Sequence, residues 1–193
     1  MKFSAVLFDR DGTVIFDRHY LSDPEGVELI PGTGQALAKL KGAGIASYLV
    51  SNQSGIGRGY YSEADFHRLD LAVRKRFEQA NAPITAVYFC PHHPTKALPE
   101  YLCQCTCRKP QPGMILQAAK ELDIDLSNSV MFGDKASDMQ AAYAAGVGRR
   151  VLLGTDGLEV PSPIPECTDC AQSLATALSD CARDLVSTEH KVP

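Results

Sequence analysis

The stretch Val6–Thr13 constrains the fold of this chain most, because a short apolar run ends abruptly in two aspartates. The residues over Ser4–Phe8 are mostly apolar and bounded by charge, which predicts a buried strand. Asp9 and Asp11 follow at once, and Gly12 permits a sharp turn after them. Two carboxylates this close repel each other. The pattern therefore predicts that a cation, most simply a divalent metal, holds them together.

The chain has 193 residues, which suits one domain spanning 1–193. The net charge is −4 and no basic stripe is present, so nothing indicates a nucleic-acid or anionic membrane partner. The N-terminal apolar run is interrupted by Asp9 within a few residues, and it predicts neither a signal peptide nor a membrane anchor. We expect a cytoplasmic monomer that binds a small molecule.

Strand patterns alternate with helix patterns along the chain. Further short apolar runs predict strands at Ile45–Val50, Thr85–Phe89, Ser129–Phe132 and Arg150–Leu153. Helical spacing and capping signals predict five helices. They begin after Pro31 and after Ser62, cover Met114–Leu122, and run from a Ser137 cap to near Gly146. The last helix carries Leu174, Leu178, Cys181 and Leu185. The irregular segment 16–28 follows the aspartates directly and is expected to cover them.

This alternation predicts an α/β fold, a parallel Rossmann-like sheet with helices on both faces. Ligands of such sheets bind outside the carboxyl ends of the strands. Asp9 and Asp11 follow the first strand, Ser51 follows the second, and Asp134 follows the fourth. The sequence therefore predicts that these polar groups meet at one edge of the sheet.

Aspartates, a hydroxyl and a lysine at one edge suit phosphoryl transfer. A carboxylate can attack phosphorus, and a second carboxylate can move the proton of the leaving group. Two anions do not approach unaided, so Mg²⁺ is expected to neutralise part of the charge, with a lysine and a hydroxyl on the remaining phosphoryl oxygens.

Four ordered motifs match a known family. Asp9-x-Asp11-Gly-Thr, Ser51, Lys109 and Gly133-Asp134-x-x-x-Asp138 resemble the motifs of the haloacid-dehalogenase-like (HAD-like) phosphatases. The stretches 51–59, 90–94, 105–110 and 133–135 are similar to the heptose bisphosphate phosphatases of that family, whose relatives are the histidinol-phosphate phosphatases. The resemblance runs from about residue 3 to about residue 154.

The resemblance implies a phosphatase that removes the 7-phosphate of D-glycero-D-manno-heptose 1,7-bisphosphate, in nucleotide-activated heptose and lipopolysaccharide core precursor synthesis. It implies that Asp9 is the nucleophile, that Asp11 is the acid and base, and that Ser51 and Lys109 steady the phosphoryl group. Mg²⁺ would be bound by Asp9, by Asp134 and by the backbone carbonyl of Asp11. The remaining substrate contacts it implies are Asp17, Arg18, His19, Tyr20, Asn52, Gln53, Ser54, Arg108 and Lys135. We further expect Asp138 to hold Lys109 in place.

The loop 90–107 looks like the family's structural zinc site. Cys-x-His followed by Cys-x-Cys provides the four ligands that a closed zinc site needs, namely Cys90, His92, Cys105 and Cys107. Cys103 shares the alternating register and could substitute for one of them. Zinc would brace the loop that carries Arg108 and Lys109. With no insertion large enough for a cap domain, we expect a capless enzyme.

Other functions are weighed against the leading one. Histidinol-phosphate phosphatase is the nearest alternative. A phospho-accepting receiver domain also gathers aspartates around Mg²⁺, but it lacks the second aspartate of the Asp-x-Asp pair. A zinc-braced interaction module with a dead site is disfavoured because every catalytic position is filled. Cys167 and Cys170 have no further ligand nearby in sequence and are expected to be ordinary thiols.

Overall fold

The protein is described by a computed structural model over residues 4–154 and 159–178. Within these residues, six parallel strands form one sheet in the order β3-β2-β1-β4-β5-β6. Their bounds are Ala5–Phe8 (β1), Ala46–Asn52 (β2), Ala86–Cys90 (β3), Val130–Gly133 (β4), Arg149–Leu153 (β5) and Asp169–Ala171 (β6). The five strands predicted from the sequence correspond to β1 to β5, and each begins and ends within two residues of its predicted bounds.

Among the described residues, five α-helical segments connect the strands. They are Thr33–Gly42 (α1), the single turn Ser54–Gly57 (α2), Glu63–Gln79 (α3), Gly113–Leu122 (α4) and Ala136–Ala145 (α5), and residues 174–178 are also helical. The α3 helix begins at the expected cap, where Ser62 and Asp65 form a reciprocal capping box. Among the described helices, none is both long enough and apolar enough to cross a membrane.

The helices cover both faces of the sheet, as expected. Val6 and Phe8 of β1 pack with α1 and α3 on one face, and Leu7 packs with α4 and α5 on the other. Successive side chains of a strand point to opposite faces, so β1 contributes to both cores and is fully buried. The strand order reverses between β1 and β4, and such a switch point is where parallel sheets bind ligands.

Two local predictions are corrected. The sequence predicts no strand between Leu153 and the last helix, but Asp169–Ala171 form β6, which pairs with β5 from Val151 to Leu153. Ser137 does not cap α5. Lys135 occupies the cap position, and the Asp138 carboxylate accepts the Lys135 backbone N–H at 3.0 Å. The expected Cys181 and Leu185 of the last helix lie outside the described residues.

Gly12 allows the ends of β1 and β4 to approach closely. Its φ is +83°, and a Cβ atom at this position would lie 2.5 Å from Oδ2 of Asp134. Any other side chain would have to displace that carboxylate and adopt a strained backbone.

The Gly12→Ala substitution is expected to lower the free energy of unfolding by about 1–3 kcal/mol, because the left-handed backbone and the clash both add strain. Gly42→Ala is the matched control. Gly42 closes α1 with open space around its Cβ position, so alanine should be neutral or stabilising by up to about 1 kcal/mol. Urea denaturation of both variants measures the difference, and equal stabilities would contradict the close-approach argument.

Candidate active site

A buried lysine lies at the centre of the polar residues at the sheet edge. Nζ of Lys109 is 2.7 Å from Oδ1 of Asp9, 2.7 Å from Oδ1 of Asp138 and 2.8 Å from the carbonyl oxygen of Val50. All three ammonium hydrogens therefore have acceptors. Burial alone lowers the pKa of Lys109, but the carboxylates of Asp138 and Asp9 outweigh it and raise the pKa above its ordinary value. The lysine is charged, and the expectation that Asp138 holds it is met by this contact.

The backbone of Lys109 is fixed as firmly as its side chain. Oδ1 of Asn52 accepts the Lys109 N–H at 3.0 Å, and Nδ2 of Asn52 donates to the Lys109 carbonyl at 3.0 Å. Asn52 ends β2, so the sheet positions the loop through one amide. Asn52 lines the cleft, but its side-chain amide is hydrogen-bonded to the Lys109 backbone. The sequence did not indicate this contact.

Asp134 lies at the end of β4 with one carboxylate oxygen unsatisfied. Its Oδ1 is buried without a hydrogen-bond partner among the described residues. Burial and the neighbouring Asp9 raise the pKa of Asp134 to about 7, against a smaller lowering by Lys135. A buried carboxylate in this position needs a further cation, and oxygen ligands suit Mg²⁺.

Carboxylate oxygens of Asp9, Asp134 and Asp138 lie within 4.8 Å of one another, which is close enough to share a metal ion. Asp138, however, has both oxygens in use, one facing Lys109 and the other accepting the Lys135 N–H. The residues present therefore fit a cation between Asp9 and Asp134, with Asp138 supporting the lysine.

Asp11 has its own cation, which corrects the expectation that a metal must hold Asp9 and Asp11 together. Arg10 is fully buried, and its Nε and Nη2 donate to the Asp11 carboxylate at 3.1 Å each. Nε2 of Gln53 donates to Oδ2 of Asp11 at 2.9 Å. The sequence analysis did not predict a role for Arg10, because it occupies the unspecified position of the Asp-x-Asp pair. Its place between two carboxylates is the one sequence signal that indicates an ion pair.

Arg10, Asp11 and Lys109 of this site line an open cleft of about 560 Å³. The predicted site residues that line it are Asp11, Asp17, His19, Tyr20, Asn52, Gln53, Ser54, Arg108, Lys109 and Lys135. His93 and Tyr61 also line it and were not predicted. Arg18 instead pairs with Glu28 at 2.6 Å on the exposed side of its segment. The segment 16–28 thus borders the site, as expected.

The wall residues carry both charge signs. Nζ of Lys135 is 3.5 Å from Asp17 and 3.6 Å from Asp134, and about half of its side chain is exposed. His19 and Tyr20 adopt φ values of +51° and +62°, a strained region for residues other than glycine. Both residues of this strained turn line the cleft, as do the cationic side chains of Lys135 and Arg108.

The four predicted zinc ligands come together in the loop after β3. Sγ of Cys107 is 3.0 Å from Sγ of Cys90, 3.3 Å from Sγ of Cys105 and 3.3 Å from Nδ1 of His92. Cys103 is exposed and lies outside this cluster. Four sulfur and nitrogen ligands in contact are the donor set of a closed tetrahedral metal site.

Comparison with known proteins agrees with the motif resemblance. The family model described as HAD-hydrolase-like matches residues 106–176. The chain is 42% identical over 181 residues to the D-glycero-beta-D-manno-heptose-1,7-bisphosphate 7-phosphatase of Vibrio cholerae, covering 94% of this chain and 93% of that protein. It is 41% identical over 177 residues to the protein of the same name from Escherichia coli K12, covering 91% and 90%.

Among solved structures, a D,D-heptose 1,7-bisphosphate phosphatase from B. bronchiseptica, complexed with magnesium and phosphate, is similar throughout. Its TM-score is 0.78 at 28% identity, with coverage of 93% of this chain and 99% of that one. The predicted resemblance and the predicted α/β fold are both confirmed by these similarities.

Asp138→Asn is expected to lower the free energy of unfolding by about 3 kcal/mol, since it removes one of the two carboxylates that neutralise the buried Lys109. Asp123→Asn is the control. Asp123 is exposed and has a left-handed φ of 52° that asparagine tolerates, so little change is expected. Chemical denaturation measures both, and a loss below about 1 kcal/mol for Asp138→Asn would contradict a structural ion triad.

Proposed function

The chain belongs to the D-glycero-beta-D-manno-heptose-1,7-bisphosphate 7-phosphatase family of the HAD-like hydrolases, and on that basis we propose that it removes the 7-phosphate of this sugar bisphosphate. The reaction would belong to nucleotide-activated heptose synthesis. The observation that carries the proposal is the meeting of Asp9, Asp11, Lys109 and Asp134 at one end of the sheet. These groups are the nucleophile, proton carrier and charge balance that transfer of a phosphoryl group requires.

Asp9 is proposed to be the nucleophile. Its Oδ1 is paired with Lys109, so Oδ2 is the oxygen left to attack phosphorus. As the new O–P bond forms, the bond to the sugar oxygen breaks and that oxygen takes a proton from Asp11. The result is an aspartyl-phosphate and a free sugar hydroxyl. Asp11 then accepts a proton from water, which attacks phosphorus and releases inorganic phosphate from Asp9.

The side chains of Asp9 and Asp134, with the backbone carbonyl of Asp11, would hold Mg²⁺. When bound, the ion neutralises negative charge on the phosphoryl oxygens. Lys109 balances the charge that Asp9 carries before and after it accepts phosphate, and Ser51 donates its hydroxyl to a phosphoryl oxygen. The unsatisfied, buried Oδ1 of Asp134 supports the placement of the metal.

The rest of the substrate is proposed to lie in the cleft. Arg108 and Lys135 supply positive charge for the second phosphate, and Asp17, His19, Tyr20 and Ser54 face the sugar. Asn52 and Gln53 are proposed to act through their protein partners, since their amides are engaged with Lys109 and with Asp11. Arg18 would have to leave Glu28 to reach the substrate.

Zinc is proposed at Cys90, His92, Cys105 and Cys107. Burial and the hydrogen bond with Cys107 raise the pKa of the Cys90 thiol, so a bound cation is needed to keep thiolates there at neutral pH. Cys107 directly precedes Arg108 and Lys109. A metal that fixes the loop therefore also fixes the residues that face phosphate.

The wild-type protein with Mg²⁺ is expected to have a kcat/KM for the heptose bisphosphate at least about 100-fold above that for histidinol phosphate, because the cleft groups match the sugar's hydroxyls and second phosphate. Phosphate release and phosphorus NMR identify the product as the 1-phosphate. EDTA should abolish turnover, and Asp9→Asn should lower it by about 10³-fold or more.

Two results would overturn parts of this proposal. Equally slow turnover of both substrates would exclude the heptose assignment. Full activity of Asp9→Asn would exclude the aspartyl-phosphate route.

Protein purified without chelator is expected to contain about one zinc per chain by elemental analysis. Cys107→Ser should lose it and lower the Tm by about 10 °C, since a few kcal/mol are lost in a chain of this size. Cys103→Ser is the matched control from the same loop, and it should keep both zinc and Tm because Cys103 is exposed outside the cluster. Wild-type protein without zinc would contradict the proposal.

A further inference from the structure

Gln53 is a buried side chain whose amide connects several parts of the site. Its Nε2 donates to Oδ2 of Asp11 at 2.9 Å and to Oγ of Ser51 at 2.8 Å. Its Oε1 accepts from Nη2 of Arg10 at 3.0 Å and from the hydroxyl of Tyr61 at 2.7 Å. Only 3% of the residue is exposed. One amide therefore links Asp11, the proposed acid and base, to Ser51, the proposed hydrogen-bond donor to the phosphoryl group.

The two acceptor bonds determine which way the amide faces. A guanidinium can only donate, so the Gln53 atom that meets Arg10 must be the oxygen. The Tyr61 hydroxyl also donates to that oxygen. Burial raises the pKa of Tyr61 to about 12, although Arg10 lowers it in part, so the phenol keeps its proton in neutral solution. The Gln53 nitrogen is thereby directed to Asp11 and Ser51.

This orientation has a consequence for Ser51. A serine hydroxyl carries one hydrogen and two acceptor positions. Because Oγ accepts from Gln53, its own hydrogen is left to donate elsewhere. Donation to a phosphoryl oxygen is the direction that stabilises negative charge.

Asp11 is held unevenly by the same partners. Oδ2 accepts from Nε2 of Gln53 at 2.9 Å and from Nε of Arg10 at 3.1 Å, whereas Oδ1 accepts from Arg10 Nη2 at 3.1 Å. Oδ2 is thus the anchored oxygen. Oδ1 has fewer donors, so it can carry the proton that passes to the leaving oxygen and later receive one from water.

We propose that Gln53, oriented by Arg10 and Tyr61, is a positioning residue that anchors Asp11 through Oδ2 and directs the Ser51 hydroxyl hydrogen toward the phosphoryl group. The inference rests on the proposed phosphatase activity. It adds Arg10 and Tyr61 to the site and gives Gln53 a role other than contact with the sugar.

Packing around the network supports this arrangement. The Tyr61 ring lies so close to Gly55 that a Cβ there would be 2.3 Å from Cε1 of Tyr61. The Arg10 guanidinium lies 5.5 Å from the ring centre of Phe66, and a cation–π interaction with the ring face stabilises this buried charge. Tyr61 and Phe66 belong to one buried cluster. Both donors to Gln53 are therefore packed closely against buried neighbours.

The test compares kcat/KM for phenyl phosphate and p-nitrophenyl phosphate in Tyr61→Phe and Gln53→Glu. The ratio of the two kcat/KM values reports the step in which the leaving oxygen departs. p-Nitrophenolate departs without a proton, whereas departure of phenolate is helped by proton transfer. In Tyr61→Phe, kcat/KM should fall about fivefold for phenyl phosphate, because one hydrogen bond to Gln53 is lost, and less than twofold for p-nitrophenyl phosphate.

In Gln53→Glu, kcat/KM for phenyl phosphate should fall about 100-fold or more. The new carboxylate repels the carboxylate of Asp11, and it accepts the Ser51 hydrogen that would otherwise point to the phosphoryl group. Part of that loss, the part due to Ser51, should appear with both substrates. Tyr143→Phe is the control, since Tyr143 is exposed on α5, and it should match wild type on both. Circular dichroism and Tm establish that each variant is folded.

Equal losses on the two aryl phosphates in both variants, or no loss in either, would overturn the inference while leaving the phosphatase function intact. Wild-type protein without activity on any phosphate ester would overturn the proposed function and this inference with it. The aryl esters contain no sugar, so the comparison is independent of which sugar the wild type prefers. A selective loss on phenyl phosphate is the result that a purely structural role would not produce.

Discussion

The buried ammonium of Lys109 is the interaction on which the site depends. An ammonium removed from water without partners costs several kcal/mol, so its position is tolerated only because every hydrogen has an acceptor. Those acceptors come from the end of β1, from the β2 backbone and from the first turn of α5. One side chain thus fixes three parts of the chain that are far apart in sequence. Any element that moved would leave a buried charge uncompensated.

The charge balance around Lys109 also explains why the site calls for a second cation. Three carboxylates, those of Asp9, Asp134 and Asp138, have oxygens within 4.8 Å of one another, and the Lys109 ammonium pairs with those of Asp9 and Asp138. Asp9 and Asp138 share it, while Asp134 has Lys135 at a longer distance of 3.6 Å and a pKa raised to about 7. The protein alone therefore leaves Asp134 poorly compensated. The proposed metal would supply this missing charge where phosphate, itself anionic, has to approach.

Much of the fold and of the site was accessible from the sequence, because both depend on local patterns and on their order. Apolar runs ending in polar residues predicted β1 to β5, and the rule for parallel sheets predicted that Asp9, Ser51 and Asp134 would meet. The strand β6 was missed because three residues with little β-branched character form a strand only by pairing with β5. The partners of Gln53 were missed because an amide's orientation depends on its three-dimensional neighbours.

Asp9 and Asp11 show how the structure refines what the sequence suggests. From sequence, two repelling carboxylates required a shared counter-ion. In the structure each has its own buried cation, Lys109 for Asp9 and Arg10 for Asp11. Arg10 lies between the two aspartates in sequence, yet of these two it pairs with Asp11. Lys109 pairs with Oδ1 of Asp9, and Oδ2 of Asp11 has one more donor than Oδ1 because Gln53 also donates to it. Within each carboxylate, the two oxygens therefore have unequal partners. Separate cations thus give two identical side chains different surroundings, which suits the different roles proposed for them: Asp9 would bond to phosphorus, and Asp11 would carry the proton.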